Sequence, residues 1–333
     1  MLKVMEARRS AALPLFVALV IFCSAGCHGS AGSTGDRPAS VVIEKPGEFD
    51  ASRAFDYVKQ LVALGPRPSG SDAIKKAQEY IQSQLKSFGL KVSEDRFDGE
   101  TPRGVVPMKN IIAELPGEKQ DIVLITGHYD TKLQNGFLGA NDGGSSTAAV
   151  LETARVLSKS KPKYTLWFVL FDGEEAVVDW NAMGGMDNTY GSRHLASKLK
   201  ADGTLNRVKA LVLFDMIGDK ELDIKREGES TTWMVDAIWS AARSLGSQKY
   251  FLNSEQYISD DHLPFRDAGV PVVDLIDFNY GPQHSYWHTN LDTLDKISGQ
   301  SIKIVGDAVL QALPEIFRHL DNSGAPPART SGQ

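Results

Sequence analysis

Glu174 and Glu175 stand side by side just after an apolar run that ends at Phe171. A polar turn leaving a buried strand would account for them. Two adjacent carboxylates in that place could instead divide two tasks, one holding a metal ion and the other moving a proton. The same juxtaposition recurs along the chain. Gly127-His128-Tyr129-Asp130 follows the apolar run 122–126, and Asp215 follows 211–214. Asp142 lies in Gly139-Ala-Asn-Asp142-Gly-Gly, Asp260-Asp261-His262 precedes Leu263-Pro-Phe265, and Trp287-His288 follows 270–276. A single acid after a strand is usually a solvated turn. Acids and histidines at one strand exit after another suit a metal site, and mixed carboxylate and imidazole donors suit zinc. The only cysteines, Cys23 and Cys27, lie near the N-terminus, so no thiolate and no internal disulfide is available beyond them. No Gly-x-Ser-x-Gly elbow, P-loop or His-Glu-x-x-His is present, which leaves the nucleophile and phosphate-cradle readings weak.

The elements that must position these residues follow from hydrophobic periodicity. Helical spacing covers 55–64, 74–88, 146–157, 191–199, 231–245 and 302–320, and short apolar runs predict strands at 110–114, 121–126, 164–171, 208–214 and 270–276. Apolar strands alternating with helices predict an α/β sandwich with a largely parallel sheet. In such sheets, sites form beyond the carboxyl ends of the strands. No internal repeat or second linker interrupts the pattern, so one domain is expected. The net charge of −6 comes without a basic cluster, which speaks against a nucleic-acid partner.

The N-terminus has a different character. Lys3, Arg8 and Arg9 precede the apolar run 11–23, and the small residues Ser24-Ala-Gly-Cys27 follow. Basic, apolar and small segments in that order read as a secretory signal peptide, and the apolar run is too short for a comfortable membrane span. Ser-Ala-Gly-Cys also resembles a bacterial lipobox, which would make Cys27 a lipidation site. The expected organisation is a leader at 1–27, a flexible tether at 28–48, a catalytic domain at 49–322 and a disordered tail at 323–333. An exported protein follows, either periplasmic or anchored as a lipoprotein, with plain secretion as the alternative. A lipid anchor would be its only contact with a membrane.

Taken in order, these motifs resemble the zinc-dependent M28 metallopeptidase superfamily, which contains aminopeptidases and the animal-type glutaminyl cyclases. The resemblance spans about 50–320 and implies a single-domain, three-layer α/β/α sandwich around a mixed sheet. In the aminopeptidase branch it would place His128 and Asp215 on one zinc and Glu175 and His288 on another. Asp142 would bridge the two, and Glu174 would be the general base. Other details are similar to the cyclase branch. These are Phe171-Asp-Gly-Glu-Glu-Ala with Trp180 after it, Tyr190-Gly-Ser-Arg-His-Leu-Ala196, the doubled Asp260-Asp261, and Trp287 before His288. That branch implies one zinc on Asp142, Glu175 and His288, with Glu174 as proton shuttle and Asp215 and Asp260 as hydrogen-bonded carboxyl groups beside it. Trp180 and Trp287 would wall the substrate pocket, and His128 would be a second-metal ligand or a hydrogen-bonding neighbour.

Some residues depart from the animal cyclases. Gly127 and Thr147 replace a cysteine pair, Ser259 stands where Gln is common, and His288-Thr-Asn-Leu-Asp-Thr follows the peptidase style. The resemblance therefore implies a monomeric, zinc-dependent glutaminyl-peptide cyclotransferase acting on peptide or protein N-termini, with a dizinc aminopeptidase as the alternative. His262 is expected to be structural, Arg193 and His194 to pair on a helix surface, and Trp233 and Trp239 to join the core.

Overall fold

The structure, a computed structural model, describes residues 48–323. The predicted leader, nearly all of the tether, the tail from 324 onward and Cys27 lie outside the described residues.

Eight strands and eight α-helices make up the described chain. In order they are α1 (Ala51–Ala63), α2 (Asp72–Ser87), β1 (Lys91–Thr101), β2 (Gly104–Leu115), β3 (Lys119–His128), α3 (Gly144–Leu157), β4 (Tyr164–Phe171), the short α4 (Ala182–Gly185) and α5 (Tyr190–Ala201). Then follow β5 (Val208–Asp215), β6 (Ile224–Glu227), α6 (Thr232–Ser244), β7 (Phe251–Gln256), α7 (Leu263–Asp267), β8 (Val272–Ile276) and α8 (Gly299–Ser323). The main sheet has the order β1-β2-β4-β3-β5-β8. β1, β2 and β4 pair antiparallel, whereas β4-β3, β3-β5 and β5-β8 pair parallel. β6 and β7 form a separate two-stranded sheet.

Side chains alternate between two buried faces along the central strands, as the pleat requires. Val123 and Ile125 of β3 and Val212 and Phe214 of β5 join the larger core with α1, α3, α6 and α8. Ile122, Leu124, Leu211 and Leu213 face the smaller core under α5 and α7, where Leu195, Leu199 and Phe265 close it. Burial on both faces explains why these strands read as continuous apolar runs. The first two helices begin where a side chain caps the free donors. Asp50 accepts from Ser52 N at 2.9 Å and Arg53 N at 3.1 Å to start α1, and Ser71 accepts from Ile74 N at 3.1 Å to start α2.

The structure departs from the periodicity in specific places. β1, β6 and β7 were not expected. Their sequences, such as KVSEDRFDGET in β1, are largely polar and half exposed, so no alternation marks them. β2 starts at Gly104 rather than 110 because its first half pairs only with β1. Arg193 and His194 do not pair with each other. Arg193 donates to the carbonyls of Met186 and Asn188, while His194 stacks on Phe97 at 4.3 Å and approaches Asp95 at 3.3 Å. Successive residues on a helix diverge by about 100°, which points neighbours to different surroundings. Trp239 is buried as expected, and Trp233 is half-buried against the core, stacked on His319 at 3.9 Å.

Candidate metal centre and active site

His128 ends β3 and Asp215 ends the adjacent parallel strand β5, so the sheet alone brings them level. His128 Nε2 lies 3.1 Å from Asp215 Oδ1 and 3.3 Å from Asp142 Oδ1, and its Nδ1 lies 3.4 Å from Asp130. Asp142 arrives on the loop before α3. That loop turns at Gly143, whose φ is 78° and where a Cβ would sit 2.4 Å from the Asp130 carbonyl oxygen. Glu174 and Glu175 follow β4 through Gly173, also at positive φ. His288 comes from the long segment after β8, with φ 52°, a conformation that costs a non-glycine residue energy. Its Nε2 stands 3.3 Å from Glu175 Oε2 and 3.5 Å from Asp142 Oδ2.

Two sets of three ligands result, Asp142–Glu175–His288 and His128–Asp142–Asp215. Within each, one atom per residue lies within 4.8 Å of the others. Both fit a cation. Glu175 Oε2 is buried without a hydrogen-bond partner among the described residues, and so many close carboxylates need compensating positive charge. Carboxylate and imidazole donors of this kind suit zinc.

The electrostatics follow from burial. It holds the Glu174 carboxyl well above the usual carboxylate range; His128 opposes this, and Asp260 and Glu175 reinforce it. Burial, with Asp215 and Asp261, also raises Asp260. Asp215 rises through burial despite its bond to His128. Burial disfavours the charged form of His128, but Asp130, Asp142 and Asp215 outweigh it and lift the imidazole well above its ordinary value.

Asp260 is buried, its Oδ1 accepting from Asp261 N at 2.5 Å and its Oδ2 unpartnered among the described residues. Asp215 is bonded to His128 rather than to Asp260. Trp287 is half-buried and stacks on His288 at 4.1 Å. Trp180 is half-buried in the loop after β4, where its carbonyl accepts from Asn188 at 2.9 Å. His262 is fully buried between Glu227 at 3.3 Å and Asp274 at 3.7 Å, away from both ligand sets.

Sequence reasoning missed the residues that hold these ligands. Asp130 accepts from Glu174 N and Glu175 N at 3.2 Å each. Asp292 accepts from Asn141 N at 2.8 Å and Asp142 N at 3.0 Å. Arg67, wholly buried, donates to the carbonyls of Tyr129, Leu138 and Gly139 at 2.7–2.9 Å. The signals were present for two of them, since Asp130 lies two residues after His128 and Asp292 four after His288. Arg67 carried none, because the partners of its guanidinium are all backbone carbonyls.

Acids and imidazoles clustered beyond the carboxyl ends of a mixed α/β sheet define a metal-dependent enzyme site. Residues 110–313 match Peptidase family M28, and the chain belongs to that family. The glutaminyl-peptide cyclotransferase of Bos taurus is 32% identical over 298 residues, covering 78% of this chain and 80% of that protein. A crystal structure of a glutaminyl cyclase from an Acidobacteriales bacterium superposes with a TM-score of 0.79 at 39% identity, covering 86% of this chain and all of that one. A leucine aminopeptidase precursor from Bacteroides thetaiotaomicron superposes with a TM-score of 0.74 at 27% identity, covering 82% of this chain and 99% of that one.

Proposed function

We infer that the protein is a glutaminyl-peptide cyclotransferase, converting an N-terminal glutaminyl residue to pyroglutamyl with release of ammonia. The observation that carries this reading is the Asp142–Glu175–His288 set with the buried Glu174 carboxyl directly beside it in the chain, a carboxyl that burial raises well above the usual carboxylate range. The similarity to cyclotransferases across most of the chain supports it.

A zinc ion on Asp142, Glu175 and His288 would supply Lewis-acid polarisation of the γ-amide carbonyl. Glu174 accepts a proton from the substrate α-amine as that nitrogen bonds to the γ-carbon. It then returns the proton to the departing nitrogen as the amide C–N bond breaks, so one carboxyl serves both steps. Asp260 reinforces the raised Glu174 carboxyl, while Asp215 holds His128 beside it. Half-buried Trp180 and Trp287 are proposed to border the glutaminyl side chain, Trp287 from its stacked position on the His288 ring.

A second reading, a dizinc aminopeptidase, has one observation in its favour: the His128–Asp142–Asp215 set is also complete. An ammonia-release assay on Gln-peptides combined with metal analysis separates the two. About one zinc per chain with ammonia and pyroglutamyl product is the expected result. Two zincs with free amino acids released from Leu-type peptides would establish the peptidase. We further propose that the leader directs export, that Cys27 carries a lipid anchor in a periplasmic or membrane-anchored protein, and that the protein is a monomer. No helix of the described residues is long and apolar enough to cross a membrane.

A further inference from the structure

Of the doubled acids before α7, Asp260 reinforces the raised Glu174 carboxyl, whereas Asp261 takes no part in the cyclisation steps. Asp261 is nevertheless wholly buried, a costly place for an acid unless it is hydrogen-bonded. Its Oδ1 accepts from Ser192 Oγ at 2.5 Å, and its Oδ2 is unpartnered among the described residues. Ser192 is wholly buried too, in the first turn of α5. That turn grips the backbone of the proton carrier. Thr189 N donates to the Glu174 carbonyl at 2.8 Å, and Tyr190 N donates to the Gly173 carbonyl at 2.7 Å. Ser192 Oγ also stands 3.2 Å from the Thr189 carbonyl oxygen, so one hydroxyl links Asp261 to the residue bonded to Glu174. Thr189 holds φ at 45°, a conformation that costs a β-branched residue energy and persists only where its surroundings over-determine it.

We propose that Ser192 and Asp261 form a brace that fixes the loop carrying Asp260 against the turn carrying Glu174, so that both are positioning residues for the proton shuttle. This rests on the cyclotransferase reading. The other end of the loop has its own buried anchor. Glu227 accepts from Ile258 N at 3.2 Å, and its strand β6 pairs with β7, which runs directly into the loop. Asp260 therefore sits in a short span between two held points, one set by the small sheet and one by α5. Only the α5 point refers back to Glu174, because only Ser192 belongs to the helix whose entry is bonded to the Gly173 and Glu174 carbonyls. A shift of a fraction of an ångström between two groups that share a proton-transfer step is enough to slow it, since about 1 Å of misplacement can cost about a hundredfold.

The test measures kcat and KM for ammonia release from the dipeptide Gln-Ala by the zinc-loaded protein, and zinc affinity by chelator competition. Ser192→Ala and Asp261→Ala are each expected to lower kcat about tenfold, with KM and zinc affinity within about twofold of wild type. The double variant should also lose about tenfold, because a single shared bond is lost only once. Asp261→Asn keeps a side-chain oxygen that accepts from Ser192, so its kcat should return to within about threefold of wild type. Tyr164→Phe removes a hydrogen bond to Asp321 at the start of β4, the end remote from the ligands, and should leave kcat unchanged. Wild-type kcat in Ser192→Ala, a change of one hydroxyl that reads the brace even where Asp261→Ala does not fold, would overturn the proposal. So would an additive loss of about a hundredfold in the double variant, no recovery in Asp261→Asn, or a parallel loss of zinc affinity. Each of these leaves the cyclotransferase reading intact, whereas no ammonia from the wild-type protein would overturn both.

Discussion

The backbone amides of Glu174 and Glu175 both donate to Asp130, one to each carboxylate oxygen, while their side chains have different surroundings. Glu175 Oε1 accepts from Lys132 N at 3.1 Å and its Oε2 faces His288. Glu174 instead lies 4.0 Å from His128 and is raised by burial, with Asp260 adding to the effect. Glu174→Gln keeps shape and removes the proton carrier, so it should retain zinc while kcat falls about a hundredfold or more. Turnover near wild type would sink the shuttle role. Asp130→Ala removes the clamp, and the carboxylate near His128, while leaving the Asp142, Glu175 and His288 side chains in place. Zinc affinity, read by chelator competition, should drop roughly 10–100-fold, as when groups supporting metal ligands are lost. An unchanged affinity would show that the β4 turn holds its shape without Asp130.

Loops that carry ligands need their carbonyls satisfied once they are buried. The segment 138–142 manages this through Arg67, whose planar fork reaches Leu138, Gly139 and Tyr129 at once. Burial lowers Arg67 to about 10, with Asp292, Asp130 and Asp142 holding it up, so it stays charged at neutral pH and adds a fixed cation beside the acids. Arg67→Met leaves three buried carbonyls without a donor, at about 1–3 kcal/mol each. Thermal or urea unfolding should show a loss of about 3–5 kcal/mol, with Arg67→Lys recovering only part, because one ammonium cannot span three acceptors. A loss under 1 kcal/mol would mean that water replaces the guanidinium. On the other side of the centre, Asp292 ties the Asp142 backbone to the segment bearing His288, so two ligands from distant elements move as one.

Across the molecule, buried acids outnumber buried bases around the sheet's carboxyl ends. Burial first, then neighbouring carboxylates, raises Asp172, Asp261, Asp277 and Asp292 to about 7 from 3.8. A group whose folded pKa exceeds its unfolded value keeps a proton that the unfolded chain has already lost. Its stabilising contribution is full below about pH 4 and declines as pH rises to about 7. The raised His128 has the same sign, since its charged form is lost as pH rises. The depressed carboxyls Asp295 and Asp321, at about 2, act in the opposite sense but only as pH falls below about 4. Zinc-stripped protein should therefore melt at a higher temperature at pH 5 than at pH 8. Added zinc should raise the melting temperature more at pH 8, where its ligands carry fewer competing protons. Equal melting temperatures for the stripped protein at both pH values would contradict this balance.

The sequence by itself determined the central strands, the long helices and every proposed ligand. β3, β4, β5 and β8 are apolar on both faces, and α1, α2 and α8 each carry one apolar stripe, patterns that depend only on local periodicity. His128, Asp142, Glu174, Glu175 and Asp215 were visible because each lies where an apolar run stops or a glycine turn begins, and Asp260 and His288 through the motifs that resemble the M28 superfamily. The polar strands β1, β6 and β7 were not, since hydrogen bonding to a neighbour defines them rather than any alternation of their own. Only the tertiary structure decided that Asp130, Asp292 and Arg67 hold the ligand-bearing backbone. The physical reason is separation along the chain. These contacts join residues 44 to 150 positions apart through backbone atoms, which carry no residue-specific signal.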